Sequence, residues 1–274
     1  ENAYTPWLHT QGTSWEELYG GPSTPYITHV IPEAYNQTTW CAEMAIQFIH
    51  EQKHRPWFFS FNCFAPHHPF DPPSEFFTRY NPDDLPLPKS KPNELKTKPT
   101  YQQLDSKFAH NDPDGYDMAG MSDRDRREIK AAYYAMVELI DKQVGRMMEA
   151  LQDTGQLDNT IVIFMSDHGE MLGDHGFYLK GPHFYDEAVR VPLIFSWKDR
   201  IQSDLKADCL MELIDIAPTL LEASGIDIPD YIQGQSLMPI LLGQATESQH
   251  RKYVFSEYYN CLLYTSDAAD EGLG

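Results

Sequence analysis

Three short apolar runs, each separated from the next by a helix-patterned stretch, constrain this chain more than any other feature. They are Trp57–Phe64, Thr160–Met165 and Val191–Trp197. Runs of that length, rich in aromatic and branched residues and bounded by turn residues, read as strands buried on both faces. Elsewhere the apolar period becomes helical. Trp40, Met44, Ala45, Phe48 and Ile49 predict a helix capped at Thr38 or Thr39 and running to about His54, with Pro56 beyond its end. Tyr133, Met136, Val137, Ile140, Val144, Met147 and Leu151 predict another from Ser122 to about Asp153, stopped by Gly155. A third covers 211–224 and stops at Gly225, and 253–258 reads as a late strand. Helices alternating with apolar strands predict an α/β fold, a mostly parallel central sheet flanked by helices.

Residues 65–100 hold nine of the chain's 20 prolines. Such a stretch is expected to be neither helix nor central strand but a long surface excursion, and excursions of that length usually serve function.

Charge narrows the partners. Against 41 Asp and Glu stand 21 Lys and Arg, a formal charge of −20. A chain that acidic repels a phosphate backbone, which argues against nucleic acid and anionic membrane surfaces. No run of 18 apolar residues exists, so no helix is expected to span a membrane. An anionic substrate must therefore be captured by a local cluster of positive groups. Cys41, Cys63 and Cys209 show no C-x-x-C spacing, which argues against a disulfide framework or a thiolate zinc site and for small core residues. They do not identify a compartment.

In open α/β sheets, ligands bind beyond the carboxyl ends of the strands. The run ending at Met165 continues into Ser166-Asp167-His168-Gly169-Glu170, and the run ending at Phe64 continues into Ala65-Pro66-His67-His68-Pro69-Phe70. Asp167 and His168 offer a carboxylate oxygen and an imidazole nitrogen on one turn, as a divalent cation requires. The competing reading has Asp167 capping a helix and His168 on the surface. In Gly173–Tyr185, Lys180 beside glycine turns, with His175 and His183 near, suits a bound oxyanion; the alternative is a solvated lysine and two surface histidines. His67, in a proline-stiffened loop, suits a general acid, and His68 competes for that role. Arg190 is expected in a buried salt bridge.

These residues resemble the sulfatases of the alkaline phosphatase superfamily. The resemblance covers most of residues 38–242. It rests on Thr38-Thr39-Trp40 with Glu43, the segment Ala65 to Pro73, Tyr133 to Glu138, Ser166 to Gly176, Lys180, Tyr185 and Arg190-Val191-Pro192. Asp215 to Leu221 and Gly234 to Leu237 complete it. The resemblance implies that Asp167 and His168 ligate a divalent metal, usually Ca2+, with Mn2+ or Mg2+ as alternatives. It implies that Lys180 holds sulfate oxygens and that His67 protonates or stabilises the leaving alcohol. His68, His175 and His183 are implied as substrate contacts with less support. The substrate would be a sulfate ester, of a carbohydrate or an aryl group.

One element of the family's pattern is missing. Sulfatases carry a Cys or Ser in a C-x-P-S-R or S-x-P-S-R motif, oxidised to formylglycine, and no Cys or Ser here is followed by x-Pro-Ser-Arg. Residues 1–260 are therefore expected to be a partial catalytic domain with its nucleophile-bearing N-terminal strands missing, inactive alone and poorly stable. A C-terminal subdomain is expected to begin near 243–260. Residues 261–274 resemble a translated sequencing adapter and are set aside from the fold. A phosphonate monoester or phosphodiester hydrolase of the same superfamily, and a non-catalytic binder of sulfated glycans, are the competing readings.

Overall fold

The computed structural model describes residues 3–19, 24, 26–28, 31–109, 120–246 and 250–258, with the backbone alone at 107–109. The tail at 261–274 lies outside the described residues. The chain divides into two compact units, Glu1–Lys198 and Asp199–Gly274.

The first unit carries α1 (Tyr4–Thr10), α2 (Trp15–Tyr19), α3 (Gln37–Glu51), α4 (Ser74–Phe77), α5 (Thr100–Ala109), α6 (Asp123–Asp153), β1 (Val162–Met165), α7 (Asp186–Val189) and β2 (Leu193–Ser196). The long helix α6 organises it. Ser122 caps α6 in a capping box, its hydroxyl accepting from the Asp125 N–H while the Asp125 carboxylate accepts from the Ser122 N–H. Gly155, at φ 69°, follows its end. The buried face of α6 is Ile129, Ala132, Ala135, Met136, Leu139 and Ile140 together with Ala150 and Leu151; Val137, expected on the apolar stripe, is exposed. Helices α3 and α4 pack against it.

Helix α3 starts two residues earlier than expected. Asn36, not Thr38 or Thr39, is its cap, with the Asn36 side chain accepting from the Thr38 N–H at 2.9 Å. Both threonines are buried instead, while Met44 is exposed. Asn is at least as good a cap as Thr, and its position sets the frame.

The apolar runs depart furthest from expectation. Thr160–Met165 and Val191–Trp197 do form β1 and β2, but these pair antiparallel, Val162 opposite Ser196 and Met165 opposite Leu193. A parallel pair needs a crossover, usually helical. The connection from 166 to 192 contains only a 3-10 turn at Asp174–Gly176 and the one-turn α7, so the chain returns alongside itself. Phe164 and Met165 remain exposed rather than buried. The run Trp57–Phe64 forms no strand: no described segment offers it a ladder, and Phe58 is 73% exposed. The α/β class stands, with helix and sheet mixed in one unit.

The proline-rich excursion is anchored. Phe70 and Phe76 are fully buried, and Phe70 joins Ile27, Ile129, Ala132, Met136 and Tyr178 in the largest apolar cluster. The excursion also contains α4 and short 3-10 turns at Pro82–Asp84 and Glu94–Thr97.

The second unit carries α8 (Ile216–Ala223) and α9 (Met238–Leu241), with Leu213–Asp215 as a 3-10 turn before α8. Asp215 is fully buried and accepts from the backbone N–H groups of Glu212 and Gln235, from the Arg251 guanidinium and from His250. Burial alone would raise its carboxyl; these hydrogen bonds together hold it below the usual carboxylate range. Thr219 accepts from the Leu237 N–H at 2.9 Å. The Asp215 and Gly234–Leu237 motifs are thus stitched to each other. Residues 253–258 form no strand; a single bridge, Leu210 to Arg251, precedes them.

Candidate functional site

The loop after residue 64 and the loop after β1 meet. Lys180 Nζ lies 2.6 Å from His67 Nε2. His67 Nδ1 lies 2.7 Å from the His68 carbonyl, an acceptor, so Nδ1 carries the proton. The neutral ring then presents its Nε2 lone pair to Lys180, whose ammonium donates. Burial, together with the charge of Lys180, holds the His67 ring below its ordinary value against the pull of that backbone bond. His68 stacks on His67 at 4.4 Å between ring centroids, and His168 meets His67 edge-on at 6.0 Å. Five of the seven expected residues (His67, His68, Asp167, His168 and Lys180) are therefore gathered in one cluster.

Two anchors hold the His67 loop. Phe70 fills the core behind it, and its carbonyl accepts from the Thr28 N–H at 2.9 Å. Asp71, one residue on, accepts from the Tyr19 hydroxyl at 2.6 Å, and its carbonyl accepts from the Asn36 amide. Burial raises the Asp71 carboxyl, and the proximity of Asp71 together with burial raises the Tyr19 phenol.

On the other side, Gly169 lets the post-β1 turn lie flat on α7. Its N–H donates to the Ala188 carbonyl at 2.8 Å, and a Cβ there would stand 1.9 Å from the Glu187 carbonyl oxygen. Asp167 points to solvent, 86% exposed, with Oδ1 accepting from the His168 N–H. His168 Nδ1 lies 2.8 Å from the Gly169 carbonyl and so carries the proton, leaving Nε2 a lone pair 4.0 Å from Asp167 Oδ2. Two acceptors facing each other without a hydrogen between them fit two corners of a cation's coordination sphere. Among the described residues no group of three or more His, Cys, Asp or Glu completes such a sphere.

His175 and His183 are engaged elsewhere. His175 Nδ1 lies 2.8 Å from Glu94 Oε1 and its ring stacks on Tyr185. His183 is buried, with Nε2 2.9 Å from Asp105 Oδ2. Arg190 pairs with Asp186 at 3.1 Å, but on the surface, both side chains exposed. The expected buried bridge is not formed, because one turn of α7 places the pair at (i, i+4) on its solvent side.

Sequence reasoning missed Glu170 as an organiser of the site. Its carboxylate accepts from the Leu172 N–H at 3.2 Å and the Leu179 N–H at 2.5 Å. Burial raises its carboxyl against those bonds and the nearby Lys180 and His168. Asp105, Asp71 and Tyr19 were missed too. The two cavities of about 480 Å³ and 300 Å³, beside Trp7 and Glu43 and beside Pro86 and Lys130, are lined by none of His67, Asp167, His168 or Lys180.

A family model described as "Sulfatase" matches residues 8–226. An arylsulfatase from Clostridium perfringens is 33% identical over 237 residues, 82% of this chain and 46% of the relative. An N-acetylglucosamine-6-O-sulfatase from Bacteroides thetaiotaomicron is 37% identical over 128 residues, 46% of this chain and 23% of the relative. A solved phosphonate monoester hydrolase from Silicibacter pomeroyi superposes with a TM-score of 0.82 at 25% identity, over 93% of this chain and 52% of its own. The chain thus spans about half the length, or less, of the proteins it matches.

Proposed function

The chain belongs to the sulfatase family, and on that footing we propose that it serves the hydrolysis of sulfate monoesters, with Lys180 and His67 as its anion-handling pair. The observation that carries this is the 2.6 Å contact between two groups 113 residues apart, which puts an ammonium and an imidazole where one ester could touch both. Lys180 binds non-bridging sulfate oxygens as a point charge. His67 stands by the bridging oxygen. An anion seated against Lys180 adds negative charge beside the ring, opposing the burial and positive neighbour that hold His67 neutral. The bound ester thereby favours the protonated ring that a leaving alkoxide needs. His68, stacked on His67, keeps that ring in place; His175 and His183, engaged with Glu94 and Asp105, act behind the turn and not on the ester.

Asp167 Oδ2 and His168 Nε2 would hold a divalent cation, Ca2+ by the family's habit, with Mn2+ favoured over Mg2+ by the imidazole donor. Such an ion withdraws electron density from a sulfate oxygen. The family's formylglycine nucleophile needs C-x-P-S-R or S-x-P-S-R, which this sequence lacks. This chain by itself is therefore expected to bind sulfate without turning over an ester. Sulfated sugars and aryl sulfates are the proposed substrate classes, after the relatives named for them.

The test is titration of the 274-residue chain with inorganic sulfate, with and without Ca2+. Saturable binding that Lys180→Ala removes is expected; identical isotherms for both proteins would overturn the reading. The structural likeness to a phosphonate monoester hydrolase favours a second reading. If methylphosphonate outcompetes sulfate, that reading takes precedence.

A further inference from the structure

Lys180 stands between two residues in left-handed backbone, Leu179 at φ 64° and Gly181 at φ 54°. For Gly181 that conformation is ordinary, but for Leu179 it is strained and needs support. On the Leu179 side, the Glu170 carboxylate takes the Leu179 N–H, and the Leu179 carbonyl accepts from the Met171 N–H at 2.9 Å. On the Gly181 side the support is a side chain from α5. A Cβ on Gly181 would stand 2.8 Å from His183 Nε2 and 2.9 Å from Asp105 Oδ2, so this turn rests directly on the His183–Asp105 pair. Among the described residues His183 Nδ1 is buried without a hydrogen-bond partner, so the Nε2 bond to Asp105 is the polar contact that orients a ring otherwise held by packing against Phe177 at 4.1 Å.

We propose that Asp105 is a positioning residue for Lys180, acting through His183 and the Gly181 turn, so that the anion-binding amine is presented only while α5 is docked. This rests on the anion-binding reading of Lys180. Asp105 touches neither Lys180 nor any ester; it sets where the backbone bends. The same segment of chain makes two further bonds across this boundary, Glu94 to His175 and the Tyr185 hydroxyl to Gln102 at 3.1 Å. Those two dock α5 and the turn before it. The Asp105–His183 bond alone lies beneath the bend beside Lys180. A segment outside the recognised motifs therefore controls the geometry of a residue inside them.

Lysine acylation rates in the full chain test this. A dilute N-hydroxysuccinimide acetate would be applied at fixed pH and the products read by peptide mass spectrometry. In the unmodified sequence Lys180 is expected to react slowly compared with Lys142 and Lys198, which stand half-exposed. Asp105→Ala should let Lys180 Nζ leave its seat 2.6 Å from His67 Nε2 for solvent and so speed its acylation about fivefold, the order a single lost hydrogen bond gives. Asp105→Asn, which keeps an acceptor for His183, should stay close to the unmodified rate. Asp105→Leu, which fills the same space without an acceptor, should act like Asp105→Ala and decides the matter if Asp105→Ala fails to fold. Lys98 separates positioning from general loosening: its rate should hold in all three variants. An unchanged Lys180 rate in both Asp105→Ala and Asp105→Leu overturns the proposal, as does a Lys98 rate rising in step with Lys180. Sulfate is absent from this measurement. A chain that binds no sulfate therefore overturns the anion reading of Lys180, while the labelling still judges the strut.

Discussion

The His67 loop and the Lys180 loop reach the same point by different means. Residues 65–73 carry four prolines and one large anchor, Phe70, sunk into the apolar core. Their course is set by the chain's own stiffness and by two anchors, Phe70 in the core and Asp71, which accepts from the Tyr19 hydroxyl and the Asn36 amide. Residues 170–183 carry one proline and three glycines, and are held by carboxylates: Glu170, within the segment, on Leu172 and Leu179, and the remote Asp105 on His183 and Glu94 on His175. Asp174 adds a fourth, accepting from the Lys89 N–H at 2.8 Å. The first loop is held chiefly by stiffness and apolar packing, the second chiefly by carboxylate hydrogen bonds, two of them from remote residues. The difference should show in how each half fails.

The largest effect is expected at the packing anchor. Phe70→Ala should cost about 3–5 kcal/mol, read as a drop in the denaturant midpoint at constant slope. A cost under about 1 kcal/mol would mean that proline stiffness holds the loop without the anchor. Next comes Glu170→Ala, which strands two N–H groups in a buried turn and should cost about 1–3 kcal/mol, with Glu170→Gln milder. Sulfate affinity should fall with it, since Leu179 leads directly into Lys180. A full loss of stability with unaltered affinity would separate that turn from the site.

These two halves also explain how far the sequence could be read. The α/β class, α6 with its Ser122 cap, and the pairing of the Asp167-His168 turn with the His67 loop were all legible, because each depends on local pattern. The prolines belong to that legible set, whereas Phe70 lay in a stretch read as a surface excursion and is fully buried. Asp105, Glu170 and Tyr19 were not, since nothing in their spacing announces partners 78, 9 and 52 residues away. The strand at 57–64 and the parallel sense of the sheet failed for the same reason. A strand is defined by its neighbour, so Trp57–Phe64 looked like a buried strand by composition yet has no ladder among the described residues, and β1 and β2 carried no mark of their antiparallel sense. Likewise Asn36 won the cap of α3 from Thr38 and Thr39 by a local contest that propensity alone does not settle.

Smaller effects sharpen the comparison. Tyr19→Phe removes the hydroxyl from Asp71 and should cost about 1–2 kcal/mol by thermal or denaturant unfolding. A larger cost would show that the His67 loop also depends on a remote polar partner. Glu94 tests the opposite half through pH. Hydrogen bonds from His175 and the Lys91 N–H hold its carboxyl at about 2, below the ordinary 4.5. A depressed carboxyl stabilises the fold above its unfolded value and loses that contribution as pH falls through its folded one. Stability should therefore decline between about pH 4.5 and pH 2, and Glu94→Gln should flatten that decline. An unaltered acid profile in Glu94→Gln would remove Glu94 from the clamp. The smallest effect is expected at Arg190→Ala, within about 0.5 kcal/mol, because its ion pair with Asp186 is exposed.

The account stands or falls on whether the two loops form one anion site. A double-mutant cycle on inorganic sulfate binding, with His67→Ala, Lys180→Ala and both together in the full chain, asks this directly. Because the side chains touch at 2.6 Å, the two losses should fall short of adding by about 0.5 kcal/mol or more. Strict additivity, or affinity indifferent to either change, would mean that the loops meet in space without acting as one site.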